Sequence, residues 1–580
     1  MVKKQIDPIV LERANEWLQG EYDNVTKEAV KELIENNPDE LIESFYRDLE
    51  FGTGGLRGII GVGTNRMNRY TVGTATQGLA NYIKKVYPKE KELKAVISYD
   101  CRNKSDYFAQ VTADVFSANG FKVYLVDALR PVPVLSFAVR HYKCHTGVMI
   151  TASHNPKEYN GYKAYWNDGA QMIPPHDKNT IEEVLKIKVK DVKFQGVPEN
   201  IISVGTELDD IFLQHVVEQS VSPGSNKMQT ELKIVFTPLH GSGVHLIPAA
   251  LQKFGFENIF KVYQQSVVDG NFPTVDSPNP EEPAALEMAI DKARKVDAEI
   301  VMGTDPDADR LGVAVKDLND NYILLNGNQT ATLLTYYLLH TWSMKEKLVG
   351  KEFIVKTIVT TELLTDIANK YNVQCYDVLT GFKWIADIIK MNEGKKKFIA
   401  GGEESYGFMI GDFVRDKDAI TSCAMIAEVA AWAANKRKSL FEVLIEIYME
   451  FGFYKESLLS VTKKGKAGAE EIQKMMGNFR LKPPKKINNS DVVLIKDYHT
   501  GTAIDLKTGK EMKIDLPKSN VLQFFTADGT KISMRPSGTE PKIKFYFGVK
   551  DQLKSKEDYE EVNKKLSEKI EAVIKDLKLK

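Results

Sequence analysis

The sequence predicts an α/β protein: three related α/β modules on mixed, mostly parallel sheets, followed by a smaller C-terminal α+β domain. Three observations carry that expectation. Short β-branched runs alternate with helix-like stretches from residue 94 to about residue 400, which is the rhythm of βαβ units. The rhythm occurs three times, and each time its last run leads directly into a distinctive polar loop. The chain has 580 residues, well past the roughly 250–300 at which a single core stops growing, so it divides into domains.

Taken in order, Val10 to Leu18 and Lys27 to Asn36 carry apolar residues at helical spacing and predict two N-terminal helices. Lys94 to Tyr99, Phe121 to Val126 and Gly147 to Ile150 are the strand runs of the first module, and the last ends in T-A-S-H-N-P. Leu232 to Phe236, Ile259 to Tyr263 and Ala298 to Met302 form the second set, ending in G-T-D-P-D-A-D-R. Phe353 to Ile358, Val373 to Asp377 and Phe398 to Ala400 form the third, ending in G-G-E-E-S-Y-G. Loops just beyond the carboxyl ends of strands are where open α/β sheets bind ligands. Lys463 to Asn489, rich in Lys, Gly and Pro, reads as a linker. Val492 to Ile495, Val521 to Phe525 and Lys542 to Phe547 then predict a small sheet, closed by a helix from Lys556 to Leu577.

Composition narrows the function. Lys and Arg number 78 against 79 Asp and Glu, a net charge of −1, which lacks the basic footprint a nucleic-acid-binding domain needs. The most apolar window, Ala424 to Ala434, is interrupted by Glu428 and falls short of the ~20 residues that span a bilayer. Gln5, Asp7 and Glu12 stand where a signal peptide has its apolar core. Four scattered cysteines, at 101, 144, 375 and 423, form no C-x-x-C pair, so reduced thiols in a cytoplasmic protein are expected.

Five loops carry candidate chemistry. Asp305, Asp307 and Asp309 crowd three carboxylates into five residues, an arrangement suited to one hard cation such as Mg²⁺. Arg310 at the sixth position and Lys316 at the twelfth exclude an EF-hand; an acidic surface turn is the alternative. Ser153 in T-A-S-H-N-P is a candidate nucleophile or phosphoryl carrier, with His154 and Lys163 to move protons or balance charge. An ordinary capping turn is its alternative, and no G-x-S-x-G is present. Arg535-Pro536-Ser537-Gly538-Thr539-Glu540 offers a guanidinium, hydroxyls and open amides for a phosphate, with Lys542 and Lys544 close by. Glu403 and Ser405 are suited to sugar hydroxyls, unless that loop merely joins a strand to a helix. The Gly-rich Phe51 to Gly58 lacks the third glycine of a dinucleotide loop, yet brings Thr53 and Arg57 toward an anion.

In this order the loops resemble those of the α-D-phosphohexomutase superfamily, from about Phe51 to the C-terminus. G-E-E-S and T-G-F-K-W at Thr380 to Trp384 are most similar to the branch of phosphoglucomutases and phosphopentomutases. Glu404 and Tyr406 depart from the G-E-M-S-G-H usual in phosphomannomutase-type members. The resemblance implies three α/β domains around a central cleft and a fourth that closes over the substrate. The divisions would be 1–225 (helical extension and phosphoserine loop), 226–335 (metal loop), 336–460 (sugar loop) and 461–580 (linker and phosphate loop). It further implies that Ser153 is phosphorylated and that Asp305, Asp307 and Asp309 bind one Mg²⁺ together with that phosphate. Arg310 would lie beside the metal. Thr53 and Arg57 would reach the reacting centre. Thr380, Glu403 and Ser405 would meet the sugar, with Lys383 and Lys417 lining the cleft. Arg535, Ser537, Gly538, Thr539 and Lys544 would grip the non-reacting phosphate.

The implied activity is an intramolecular phosphotransfer between α-D-glucose 1-phosphate and glucose 6-phosphate, with glucose 1,6-bisphosphate as intermediate and activator. The implied protein is cytoplasmic, a monomer or weak homo-oligomer, with a phosphosugar as its partner and neither nucleic acid nor membrane. Phosphopentomutase and sugar-bisphosphate synthase could share every one of these motifs, and phosphomannomutase is a further alternative. A phosphatase using Asp305 and a non-catalytic sugar-phosphate sensor are the readings from other classes. The general base stays open between His154, Lys163 and other groups.

Overall fold

The computed structural model describes residues 6–52, 55–463, 465–537 and 542–579. The N-terminal segment forms three helices rather than two: Pro8–Gln19, Asn24–Asn36 and Pro38–Phe45. Asn37 and Pro38 account for the third. The Asn37 side chain accepts from the Glu40 amide at 3.3 Å, and proline is pre-set for the first helical turn, where an N–H has no intrahelical partner. Trp17, Phe45 and Tyr70 pack these helices onto the rest of the chain.

Three mixed α/β sheets follow. In spatial order the first is Gly55–Ile59, Tyr159–Trp166, Thr146–Ile150, Leu93–Tyr99, Phe121–Val126 and Ile201–Val204. The second is Tyr322–Leu325, Leu311–Lys316, Ile300–Thr304, Ile234–Thr237 and Ile259–Lys261. The third is Gln374–Val378, Glu352–Thr357, Lys397–Gly402 and Phe408–Ile410. Every β-branched run read from the sequence in these modules is one of these strands.

Six strands of these sheets escaped the sequence reading, and three of the six occupy equivalent places. Tyr159–Trp166, Leu311–Lys316 and Phe408–Ile410 each return antiparallel beside the strand that precedes a motif. All three are largely buried, so they lack the polar alternation that marks a one-sided strand. Each motif loop is therefore a hairpin connection at the carboxyl end of a parallel strand. For residues 403–407 this replaces the strand-to-helix alternative.

The C-terminal sheet is antiparallel, in the order Phe453–Thr462, Lys542–Asp551, Lys531–Pro536, Leu522–Thr526, Ser490–Asp497, Thr502–Asp505 and Glu511–Lys513. A division at residue 460 would cut its first strand, whose register with Lys542–Asp551 runs from Phe453 to Thr462. The stretch read as a linker holds the helix Gly465–Leu481. Its core face is a narrow stripe: Ile472 and Met476 are buried, and Met475 and Phe479 pack beside them. These are positions i, i+3, i+4 and i+7 of one helix face, sparse enough to be lost among lysines and glycines. The closing helix is Tyr559–Asp576.

The apolar window around Ala424 belongs to the helix Ala419–Asn435, buried along nearly its whole length. Its interrupting Glu428 is fully buried and gathers donors from outside the helix. The amides of Val221 and Ser222, Asn226 Nδ2 and the Tyr337 hydroxyl each reach it at 2.9 Å, and the Ser220 hydroxyl joins them. Removing that acceptor strands several buried donors, each worth ~1–3 kcal/mol. Glu428→Leu is therefore expected to lower stability by roughly 3–5 kcal/mol in denaturant unfolding; a loss below ~1 kcal/mol would mean water satisfies those groups. Among the described residues no helix is long and apolar enough to cross a membrane.

Candidate active site

Ser153 lies on the hairpin after Thr146–Ile150, buried, with its backbone in the left-handed region at φ 53°. Its amide donates to Thr151 Oγ1 at 2.8 Å, and its hydroxyl donates to Asp305 Oδ2 at 2.9 Å. His154 Nδ1 stands 3.2 Å from the same hydroxyl. The glycine of N-G-Y-K is required here: a Cβ on Gly161 would lie 2.4 Å from the Thr151 carbonyl oxygen.

The acidic loop meets Ser153 from the second sheet. Asp305, Asp307 and Asp309 are all buried, and one oxygen from each can be chosen so that the three lie within 4.8 Å of one another. The amides of Asp309 and Arg310 donate to Asp305 Oδ1 at 3.1 and 3.0 Å, which turns that carboxylate into the loop. Lys163 Nζ is 2.7 Å from Asp307 Oδ2, and Lys417 Nζ is 3.1 Å from Asp309 Oδ2. Burial and the two neighbouring carboxylates push the Asp305 carboxyl well above the usual range. Burial acts on Asp309 in the same sense, but Lys417, Lys163 and Arg310 outweigh it and hold that carboxyl low. Lys163 is buried too, yet Asp307 and Asp309 keep its ammonium charged.

Three acids facing three cations would balance without a metal, so charge alone does not decide the matter. The orphaned atoms do. Asp307 Oδ1 and Asp309 Oδ1 are buried with no hydrogen-bond partner, a costly condition for carboxylate oxygens. An all-oxygen donor set with free lone pairs fits a hard divalent cation.

These groups line two adjoining chambers. The smaller, about 360 Å³, is bounded by Arg57, Ser153, Lys163, Asp309 and Lys417. The larger, about 620 Å³, takes Glu281 from the second module, Thr380, Glu403 and Ser405 from the third, and Arg535, Lys542 and Lys544 from the C-terminal domain. His154 and Arg310 stand in the wall common to both. Burial, with Arg310 and Arg57 beside it, lowers the His154 pKa to about 2, so the ring is neutral. Burial also lowers the Lys544 pKa, helped by repulsion from Arg535 and Lys542; an anion placed among them relieves that repulsion. Glu403 Oε1 accepts the Gly381 amide at 2.8 Å, which joins the sugar-type loop to the T-G-F-K-W stretch. A Cβ on Gly407 would stand 2.1 Å from Lys417 Cδ, so this glycine lets Lys417 pass to Asp309.

Most of the sequence-identified residues converge on these chambers, with particular exceptions. Lys383 lines a separate cavity beside Trp166 and His176 and points to Asp177 at 3.9 Å; the helix Phe382–Asn392 turns it away from the cleft. Thr53, Gly538 and Thr539 lie outside the described residues. Ser537 follows the strand Lys531–Pro536, and its amide donates to the Lys542 carbonyl at 2.7 Å. Arg57 donates to Asn155 Oδ1 at 3.2 Å. The sequence reading passed over Asp100, Thr151 and Glu281. Thr151 Oγ1 bridges Asp100 Oδ2 at 2.6 Å and Asp307 Oδ2 at 3.2 Å, and Glu281 pairs with the Arg310 guanidinium. Asp100 had a usable signal: it directly follows a strand in the middle of its sheet, as the motif loops do. Glu281 had none. Glu404, whose pKa burial and Glu403 raise to about 7, also lines the larger chamber and accepts from Thr357 and Thr360.

Comparisons with known proteins extend this picture. Family models for phosphoglucomutase/phosphomannomutase match in succession: alpha/beta/alpha domain I at 48–190, domain II at 210–319, domain III at 326–451 and the C-terminal domain at 461–565. A phosphoglucomutase of Staphylococcus haemolyticus is 36% identical over 517 residues, covering 87% of this chain and 91% of its own. One from Staphylococcus epidermidis is 37% identical over 548 residues, 92% of this chain and 96% of its own. Among solved structures, the open form of a Paramecium phosphoglucomutase, parafusin, superposes with a TM-score of 0.65 at 16% identity, covering 91% of this chain and 96% of that one. A Burkholderia thailandensis phosphoglucomutase/phosphomannomutase family protein gives 0.63 at 18% identity, covering 90% and 97%. At such identities the two structures speak to the fold.

Proposed function

The chain belongs to the phosphoglucomutase/phosphomannomutase family, and from that premise we propose that it interconverts α-D-glucose 1-phosphate and glucose 6-phosphate by way of a phosphorylated Ser153. The observation that carries the reading is the Ser153 hydroxyl, 2.9 Å from Asp305, in a chamber sharing a wall with a cleft equipped for a sugar and a phosphate. The phosphoglucomutase names of relatives 36–37% identical to this chain support the choice of glucose.

The sugar phosphate lies in the larger chamber, its idle phosphate against Arg535, Ser537 and Lys544 and its hydroxyls against Glu403, Ser405 and Thr380. Its free hydroxyl then faces the wall of His154 and Arg310. The hydroxyl oxygen attacks the phosphorus on Ser153, the bond to Oγ breaks, the hydroxyl proton leaves and Oγ takes one up. His154, whose Nδ1 lies 3.2 Å from Oγ, and Lys163 are the candidates for that proton exchange. Lys163, Lys417, Arg310 and Arg57 offset the negative charge spread over the transferring group, which is most of what phosphoryl transfer asks of a protein. Asp305, Asp307 and Asp309 would hold Mg²⁺, which when bound supplies Lewis-acid polarisation of the phosphate. The resulting glucose 1,6-bisphosphate turns over within the closed cleft and returns its other phosphate to Ser153, and added bisphosphate reloads an empty serine. Closure by the C-terminal domain keeps water from the phosphoserine. The expected protein is a cytoplasmic monomer or weak homo-oligomer.

The test compares kcat/KM on glucose 1-phosphate, mannose 1-phosphate and ribose 1-phosphate with catalytic bisphosphate present. Preference for glucose by ~10-fold or more is expected. Preference for ribose or mannose would transfer the assignment to the corresponding mutase, net accumulation of bisphosphate to a synthase, and steady phosphate release to a phosphatase.

A further inference from the structure

Arg102 belongs to neither chamber, yet it is buried against the back of the serine hairpin. Its Nη2 donates to the Ser153 carbonyl at 2.7 Å and to the Asn155 carbonyl. Its Nη1 donates to the carbonyls of Pro156 at 2.8 Å and Tyr159 at 3.0 Å. Asp100 Oδ2 lies 3.6 Å from Nε, and the Phe272 ring of the second module faces the guanidinium at 5.2 Å. One planar fork thus collects four carbonyls of a hairpin fewer than ten residues long. An ammonium, with three donors on one atom, does not match that set.

Two consequences bear on the chemistry. Ser153 sits at φ 53°, a region that disfavours any residue with a Cβ, and a carbonyl anchored on Arg102 opposes its relaxation. Across a planar trans peptide the N–H points opposite to the C=O. With the Ser153 carbonyl drawn onto Arg102, the His154 amide is directed away from the clamp, and among the described residues it donates to no acceptor.

We infer that Arg102 is a positioning residue for phosphoryl transfer: by clamping the carbonyls of Ser153, Asn155, Pro156 and Tyr159, it aims the serine hydroxyl at Asp305 and presents the His154 amide to the phosphate. The inference rests on the phosphoserine reading. It predicts a loss in rate with sugar binding spared, because no atom of Arg102 lines the sugar chamber.

The experiment measures steady-state kinetics on glucose 1-phosphate and the rate at which glucose 1,6-bisphosphate phosphorylates Ser153, followed by intact mass. Misplacing a reacting group by about 1 Å costs ~10²-fold. Arg102→Lys is expected to lower kcat and the phosphorylation rate about 10–100-fold, and Arg102→Met about 10³-fold, with KM within about threefold. Unchanged rates in both variants, or a loss expressed mainly in KM, overturns the clamp. Should Arg102→Met fail to fold, Arg102→Lys and Phe272→Leu decide. The latter removes only the facing ring and is expected to slow phosphorylation several-fold, and full speed in both overturns the proposal. A wild-type chain that takes no phosphate would instead overturn the phosphoserine reading, and the clamp's purpose with it.

Discussion

Ser153→Ala is expected to lower turnover by roughly 10⁴–10⁶-fold, the scale on which removing a covalent nucleophile acts. Everything else in the two chambers stays. Arg535, Lys544 and Glu403 still bind the sugar phosphate, so ligand binding by calorimetry should change by less than about threefold. The fold should stay as well: alanine at φ 53° carries the same backbone cost as serine, and one hydrogen bond to Asp305 is worth ~1 kcal/mol. The decisive measurement is intact mass after incubation with glucose 1,6-bisphosphate. The wild-type chain should gain one phosphate mapped to Ser153, and the variant none. Glucose 6-phosphate formation by the variant above about a hundredth of the wild-type rate would remove Ser153 from the reaction.

Asp307→Asn should separate metal binding from the rest of the site. The side chain keeps its shape and loses its charge. Its Oδ1, buried and without a hydrogen-bond partner in the native site, becomes a far weaker ligand for a hard cation. Activity is expected to fall about 10³-fold, and the Mg²⁺ concentration giving half-activity to rise at least ~100-fold. A second readout needs no substrate. A ligand bound only by the folded chain raises its stability by RT ln(1 + [L]/Kd). The wild-type Tm should therefore climb with Mg²⁺, while that of the variant stays flat. Without metal the variant relieves repulsion among the three carboxylates but loses the 2.7 Å ion pair with the buried Lys163 ammonium, so the response of Tm to Mg²⁺, and not the metal-free Tm, tests the ligand. A variant Tm that still rises with Mg²⁺ as the wild-type Tm does would strike Asp307 from the ligand set.

Sequence reasoning succeeded wherever information is local. Strand runs such as Phe121–Val126 are continuous and β-branched, and each motif joins turn formers to reactive side chains over fewer than ten residues. It faltered where burial erases periodicity. Tyr159–Trp166 is covered on both faces, so its apolar and polar residues no longer alternate, and Gly465–Leu481 shows a core stripe too thin to register among lysines. Lys383 illustrates another limit. A basic residue beside a recognised motif looks like a ligand, but the helix carrying it decides which cavity receives it.

The three-fold rhythm, the identity of the reactive groups and the family are legible in the chain because each is written in short spans. Which carboxylate meets the serine, which lysines balance the acids and what stiffens the hairpin emerge from folding alone. Ser153 and Asp305 stand 152 residues apart, and Lys163 and Asp307 stand 144 apart. Contacts over such separations follow from how whole sheets pack, and no local spacing of residues encodes them.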